Sequence, residues 1–226
     1  MCANYVPTRP ERLLARFGVR PDRDDYPADA YPGQTTPVVV ADAQGRHAVM
    51  AVFGMVPPWS RDGRNWRQCY NARSETVGEK PSFRHAWRQR QWCVVPADAV
   101  FEPSYESGRA VRWRIESADG EPLALAGLWE RWRSPQGESL LSFTLLTLNA
   151  DQHAVMNRFH APGDEKRSVV LLEPAAIDAW LQASPDEARS LLQGFDPARV
   201  RCAPQPRPPR ASRRMFSDPG DQGLGF

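Results

Sequence analysis

Lysine is almost missing: of 29 basic residues, only Lys80 and Lys166 are not arginine. The positive charge is therefore carried by guanidinium groups, which suit forked contacts with phosphate. A GC-rich coding sequence would give the same bias. With 27 acidic residues the net charge is only +2, short of the basic excess of a general nucleic-acid binder, so any phosphate-binding surface must be a local patch. Four cysteines (Cys2, Cys69, Cys93 and Cys202), widely spaced and with no CxxC pair, argue against a zinc knuckle and a secreted disulfide scaffold, and reduced thiols are expected. His47, His85, His153 and His160 form no ligand spacing with them, so neither a metal nor a cofactor is implied. No apolar run approaches the roughly 20 residues that span a bilayer, and the N-terminus lacks the regions of a signal peptide; a cytoplasmic protein with no membrane partner is expected. At 41% hydrophobic and 25% charged, 226 residues suffice for one buried core.

Arg9 to Gly18 reads as a short helix, with Pro10 in its first turn, Gly18 as its stop, and Leu13, Leu14 and Phe17 buried. Residues 19–37 lack periodicity and read as a loop. Pro37 to Val40 and His47 to Gly54 flank a turn at Ala43-Gln44-Gly45 and predict a hairpin. Trp59 and Trp66 are either core or platforms on which unpaired bases stack beside Arg61, Arg64 and Arg67. Tyr70 to Thr76 reads as a polar, capped turn with Asn71 bonding neighbouring backbone. Ser82 to Arg88 has helical spacing and places His85 on a polar face. Two strands follow, Gln91–Pro96 and Ala99–Glu102. Glu102 sits in an apolar setting, either on a solvent face or buried as a proton-transfer group. Val111–Ile115, Leu123–Trp129 and Leu140–Leu148 are further strands, Ala150–Met156 a helical stretch, and Ser168–Leu172 a last strand. Ser184-Pro185-Asp186-Glu187 has the pattern of a helix N-terminus. Many strands and few long helices predict an α+β domain: a largely antiparallel, barrel-like sheet with packed helices over residues 1–202. Residues 203–226, rich in Pro, Arg and Gly, read as a disordered basic tail.

Cys2 sets the chemistry. Once Met1 is removed, its α-amine (ordinary pKa about 7.7–8.0) and thiol (about 8.5) form a 1,2-aminothiol. Such a pair can open an acyl bond. It can also condense with an aldehyde, the amine giving an imine and the thiol closing a thiazolidine intramolecularly.

Cys2, the Phe53-Gly54-Met55-Val56-Pro57-Pro58-Trp59 turn, Asn71-Ala72-Arg73-Ser74-Glu75-Thr76, Cys93 to Glu102, Ala126-Gly127-Leu128-Trp129 and a late His160 occur in an order that resembles the SRAP family, the SOS response-associated peptidases that shield abasic sites in single-stranded DNA. The resemblance runs from Cys2 to about Leu172, and Asn71 to Thr76 is its most specific block. It implies a monomer that forms a thiazolidine crosslink between Cys2 and the ring-opened abasic sugar, working at the bacterial nucleoid during repair. Removal of Met1 would be the peptidase step, and strand-cleaving lyase chemistry a further branch. By resemblance, Asn71 orients the sugar or Cys2, Glu102 handles protons at the amine and imine, and His160 helps open the sugar ring. Arg73 falls at a position expected on the DNA backbone, with Arg158 and Arg167 as phosphate partners. In two places the chain departs from the family pattern. Ala3-Asn4 follows Cys2 where Gly-Arg is usual, leaving Asn4 a neutral DNA contact. Six residues separate His160 from Arg167, so the site loop is extended, or Arg158 is the matching arginine and Met156 takes the histidine position. Two other readings stay open: an N-terminal-nucleophile hydrolase cleaving an external amide through Cys2, and a non-catalytic single-strand binder.

Overall fold

A computed structural model describes residues 2–207. Its elements are β1 (Tyr5–Pro7), α1 (Pro10–Phe17), β2 (Thr35–Asp42), β3 (Gly45–Phe53), β4 (Asn71–Arg73), α2 (Arg84–Arg88), β5 (Trp92–Ser104), β6 (Val111–Ser117), β7 (Leu123–Arg133), β8 (Ser139–Asn149), β9 (Arg167–Val169), α3 (Ile177–Gln182), α4 (Pro185–Leu191) and β10 (Val200–Pro204). Five strands close on themselves in the order β5-β2-β3-β8-β7 and back to β5. The β2–β5 seam is thin, registered through Val39 and Val94. Every pairing in the ring is antiparallel except β3 with β8. Strands β1 and β6 extend β5 beyond the ring, β10 adds to β6, and β4 and β9 pair with β8.

Alternation along the barrel strands feeds two apolar clusters. Val39, Val94, Ala126, Leu128 and Leu146 face outward, where Leu13 and Phe17 of α1, Trp87 of α2 and Trp180 of α3 cover them. Trp92 and Trp180 lock this layer by donating to the carbonyls of Ala183 (2.8 Å) and Cys93 (2.9 Å). Val38, Val40, Cys93, Val95, Leu125, Phe143 and Leu145 fill the interior with Phe53 and Tyr5. Phe53 stacks on Phe143 at 5.2 Å and meets Tyr5 edge-on at 5.4 Å. The Tyr5 hydroxyl lies 2.6 Å from Thr36 Oγ1, so this buried phenol is satisfied and ties the N-terminal strand to the barrel.

Helix α1 ends as its sequence predicts: Gly18 adopts φ +73° and its N–H bonds Leu14 O. Leu14, however, is exposed, because only Leu13 and Phe17 lie on the face turned to the barrel. Tyr70 to Thr76 does not begin as a turn. Residues 71–73 form β4, parallel to β8, and the turn starts at Ser74. The stretch from Ala150 to Met156 is a series of turns leading into a short 3₁₀ segment at Met156–Arg158. Ser184 and Glu187 form the reciprocal capping box of α4. Strand β10 runs past Cys202 to Pro204, and Gln205 N bonds Arg112 O at 2.8 Å, so residues 203–207 belong to the domain. The rest of the expected tail, residues 208–226, lies outside the described residues. No helix among the described residues is long and apolar enough to cross a membrane.

Candidate active site

Strand β5 brings Glu102 inward by a change of parity. Cys93, Val95 and Ala97 point into the barrel; past a bulge the inward residues are Val100 and then Glu102. Against β1, Val6 pairs with Ala99 and Pro7 with Ala97, so Asp98 is the extra residue. A bulge of this kind re-aims every side chain beyond it. Without it, Phe101 would face the interior and Glu102 the outside. Glu102 is 2% exposed.

His160 reaches Glu102 from the loop between β8 and β9. Its Nε2 stands 3.0 Å from Glu102 Oε2, at ion-pair range without the alignment of a straight hydrogen bond. The residue adopts φ +67°, a left-handed conformation that costs a non-glycine residue on the order of 1 kcal/mol. Its N–H donates to Pro103 O at 2.8 Å, and Lys166 Nζ donates to the carbonyls of His160 (3.2 Å) and Ala161 (2.8 Å). Lys166 thus closes the six-residue excursion before Arg167. Met156 is buried at 1% in the interior cluster, so the structure places His160, not Met156, beside Glu102.

Cys2 is buried at 1% exposure against the same interior cluster. Its carbonyl accepts from Asn71 Nδ2 at 2.8 Å, and its thiol lies 3.5 Å from Asn4 O. Asn71 Oδ1 is buried with no hydrogen-bond partner among the described residues, which leaves an acceptor beside Cys2. Burial, and next the charge of Glu102, push the Cys2 thiol up to about 12 from an ordinary 9.0. The sulfur is therefore a neutral thiol near neutrality, and it must lose its proton as it bonds to carbon.

These shifts predict alkaline instability. In the unfolded chain Cys2 ionises near 9.0, whereas the fold holds its proton to about 12. The folded state binds the extra proton across that window, so stability is full below pH 9 and falls as pH rises toward 12, by about 4 kcal/mol from this thiol. Burial moves the Cys93 thiol and the Tyr5 phenol in the same direction. Urea midpoints should therefore drop steeply between pH 9 and 11; level midpoints would mean that these groups are not buried in solution.

The expected nucleic-acid contacts divide. Arg73 follows Asn71 by two residues on β4 and so shares its face. Its side chain is 53% exposed and paired with Glu165 at 2.7 Å. Arg158 forms a two-point pair with Glu106 (2.8 and 3.1 Å) over the Trp113 ring; a surface pair of this kind exchanges readily for phosphate. Arg167 is turned inward instead of toward solvent. It is 3% exposed, and its guanidinium is occupied by Glu75, Glu165 and Thr147. Glu75 is the counterpart: burial acts to raise its pKa, but the Arg167 bonds prevail and lower it to about 2. Arg167 therefore fastens the Asn71–Thr76 block to the strands beside the His160 loop. Asn4 is likewise held within the domain. It is 6% exposed, its Oδ1 accepts from Arg112 Nε (3.0 Å) and Nη2 (2.8 Å), and its Nδ2 donates to Asp29 and to Ala30 O. Trp59 is exposed, with its indole bonded to Pro81 O. Trp66 is half-buried: its ring lies against Gly33, where a Cβ would come within 2.8 Å of it, and Gly54, at φ +107°, lies so close to its backbone that a Cβ there would meet Trp66 O at 2.3 Å. The Phe53–Trp59 turn needs this glycine for packing as well as conformation.

Sequence reasoning missed Arg112. Its guanidinium sits 3.2 Å over the Phe101 ring while bonding Asn4 and Asp29, and it borders an open cleft of about 600 Å³ on the Phe101 face of β5 and β6, lined also by Asn4, Pro103, Arg109 and Arg207. In a strand reading Val-Arg-Trp-Arg nothing marks one arginine over the next. Among the described residues, no three or more His, Cys, Asp or Glu side chains are grouped to hold a metal ion.

Residues 1–206 match the family described as SOS response associated peptidase (SRAP). The chain is 29% identical over 181 residues to the abasic site processing protein YoqW of Bacillus subtilis (strain 168), covering 78% of this chain and 77% of that protein. It is 25% identical over 195 residues to the abasic site processing protein HMCES of Xenopus tropicalis, covering 74% of this chain and 56% of that one. A crystal structure of a Bordetella bronchiseptica protein superposes with a TM-score of 0.84 at 36% identity, covering 90% of this chain and 99% of that one. One from Bacteroides thetaiotaomicron shares the fold, with a TM-score of 0.78 at 22% identity over 90% and 91% of the two chains. With the match extending over nearly all the described residues, the chain belongs to the SOS response-associated peptidase (SRAP) family.

Proposed function

We propose that this protein senses abasic sites in single-stranded DNA and shields them, as a monomer, by a covalent bond through Cys2. The observation that carries the reading is the placement of Cys2, held by Asn71, beside the buried Glu102–His160 pair. The names of the relatives, abasic site processing proteins, agree with it.

The chemistry begins with hydrolysis of the Met1–Cys2 amide, which consumes one water and frees the Cys2 amine. Cys2, Asn71 and Glu102 are the groups at hand for that peptidase step. The amine then adds to C1′ of the ring-opened deoxyribose, and loss of one water gives the imine. His160 donates to the sugar oxygen as the ring opens, and Glu102 passes the protons released and consumed at nitrogen. The neutral thiol next adds across the C=N bond: a C–S bond forms, and the thiol proton ends on nitrogen. The net balance from aldehyde and aminothiol to thiazolidine is the loss of one water. Lyase chemistry would branch from the imine, before the sulfur closes.

Intact-protein mass spectrometry tests this. Incubation with a single-stranded oligonucleotide carrying one abasic site should yield protein without Met1, heavier by the oligonucleotide less one water. Retention of Met1, or no adduct despite its loss, would turn the search to external amide substrates.

A further inference from the structure

Trp113 stands directly across from Glu102. The two are register partners between β6 and β5, so their side chains leave the same face of the sheet with Cβ atoms about 5 Å apart. Ile115, on that face of β6, is buried in the interior cluster, and Trp113 packs against the cluster while staying half-buried. Phe159, the residue before His160, meets the indole edge-on at 6.1 Å. Beside the ring a pocket of about 190 Å³ opens among Ser104, Glu106, Ser107, Val111 and Pro204. Ser104 lies two residues past Glu102 on the same strand face, roughly 7 Å along β5, which is close to the step between neighbouring nucleotides of an extended single strand.

The indole carries a removable cover. The Arg158 guanidinium lies 5.0 Å over the ring and is held there by its two-point pair with Glu106. Both side chains are open to solvent, at 39% and 51% exposure, and a pair so exposed is weak. A turn of Arg158 toward a phosphate would free its guanidinium and uncover the indole in one movement. A guanidinium and an indole side by side suit a group that is anionic and flat at once, and a nucleotide of single-stranded DNA is such a group. The abasic sugar has no base of its own to be held by. Its register in the site must therefore come from a neighbour.

We infer that Trp113 is the stacking platform for the base of a nucleotide adjoining the abasic sugar, with Arg158 leaving Glu106 for that nucleotide's phosphate. This rests on the proposed reading of the site as one for DNA.

The test uses the full chain and a short single-stranded oligonucleotide with a central tetrahydrofuran residue, an abasic analogue that has no aldehyde and so reports binding alone. In fluorescence anisotropy, removing the base on one side of that residue should cost the parent roughly fivefold to a hundredfold in affinity, the range for one base on one aromatic ring. Trp113→Leu should bind the complete strand more weakly by the same factor and be indifferent to removal of that base. Trp113→Phe, which keeps a ring, should restore most of the loss. Glu106→Gln should tighten binding by about twofold to fivefold, since phosphate no longer competes with a carboxylate for Arg158. A parent chain indifferent to base removal on either side would overturn the inference without any variant having to fold. So would a Trp113→Leu chain that still loses as much as the parent when the base is removed, or a Glu106→Gln chain that binds no tighter. If the full chain forms an abasic adduct yet ignores the neighbouring base, only this inference falls; if it neither binds nor forms an adduct, the DNA reading falls first.

Discussion

Cys2→Ala should lose at least about a hundredfold of the abasic adduct that survives heat and denaturant, while keeping an adduct that sodium borohydride can trap. Once its methionine is removed, the alanine chain still presents an amine, and an amine with an aldehyde gives an imine. What it lacks is the second bond. Closure by the neighbouring thiol is intramolecular, and well-oriented reactions of that kind gain effective molarities on the order of 10⁵ M or more. Water reverses the open imine; the closed ring withdraws it from that equilibrium. The variant should remain folded, because the loss is one sulfur at a site anchored by the backbone, through Asn71 to the Cys2 carbonyl and through Phe101 N to the Asn4 carbonyl. Denaturing gels with and without reductant, beside a thermal melt, read all three quantities. A heat-stable adduct of Cys2→Ala without reductant would place the covalent bond on another residue.

The fold was legible where a local pattern decides it. The Pro10-to-Gly18 helix, the β2–β3 hairpin, strands β6 to β8 and the Ser184 capping box follow from periodicity, turn chemistry and caps. Where pairing across the chain decides, the sequence was ambiguous. Asn71 to Arg73 is too short and polar to announce a strand and becomes one because β8 offers an open edge. The break between two expected strands at Ala97-Asp98 is the bulge of one continuous β5, and that bulge chooses between the two readings of Glu102 by turning it inward. Arg167 illustrates the converse limit. Its position suggested phosphate, but a guanidinium 3% exposed and held through both terminal nitrogens by two carboxylates and Thr147 is turned inward as a tie between strands. The family resemblance put Cys2, Asn71, Glu102 and His160 in one candidate group, and the structure brings all four together. Arg112 and Asp29, which hold Asn4, were silent because their meaning lies in a contact between segments 83 residues apart.

Glu102→Gln should slow adduct formation by roughly a hundredfold to a thousandfold, the range for losing a positioned acid–base group. Glutamine keeps the volume and the buried hydrogen-bonding shape, so the change removes the ability to carry a proton while the site keeps its form. Glu102 is 2% exposed, so affinity for undamaged single-stranded DNA should not change. The loss belongs in the single-turnover rate, not in the binding constant. The substitution also removes the second cause of the raised Cys2 thiol, leaving burial; Cys2 should then ionise at a lower pH than in the parent, although still above 9.0. His160→Gln should lose a comparable factor. Because the two side chains stand 3.0 Å apart, the double variant should be slowed little beyond the slower single one. Additive losses would mean that Glu102 and His160 act at separate steps. A Glu102→Gln rate within threefold of the parent would reduce the carboxylate to a structural part, leaving proton transfer to His160 or to solvent.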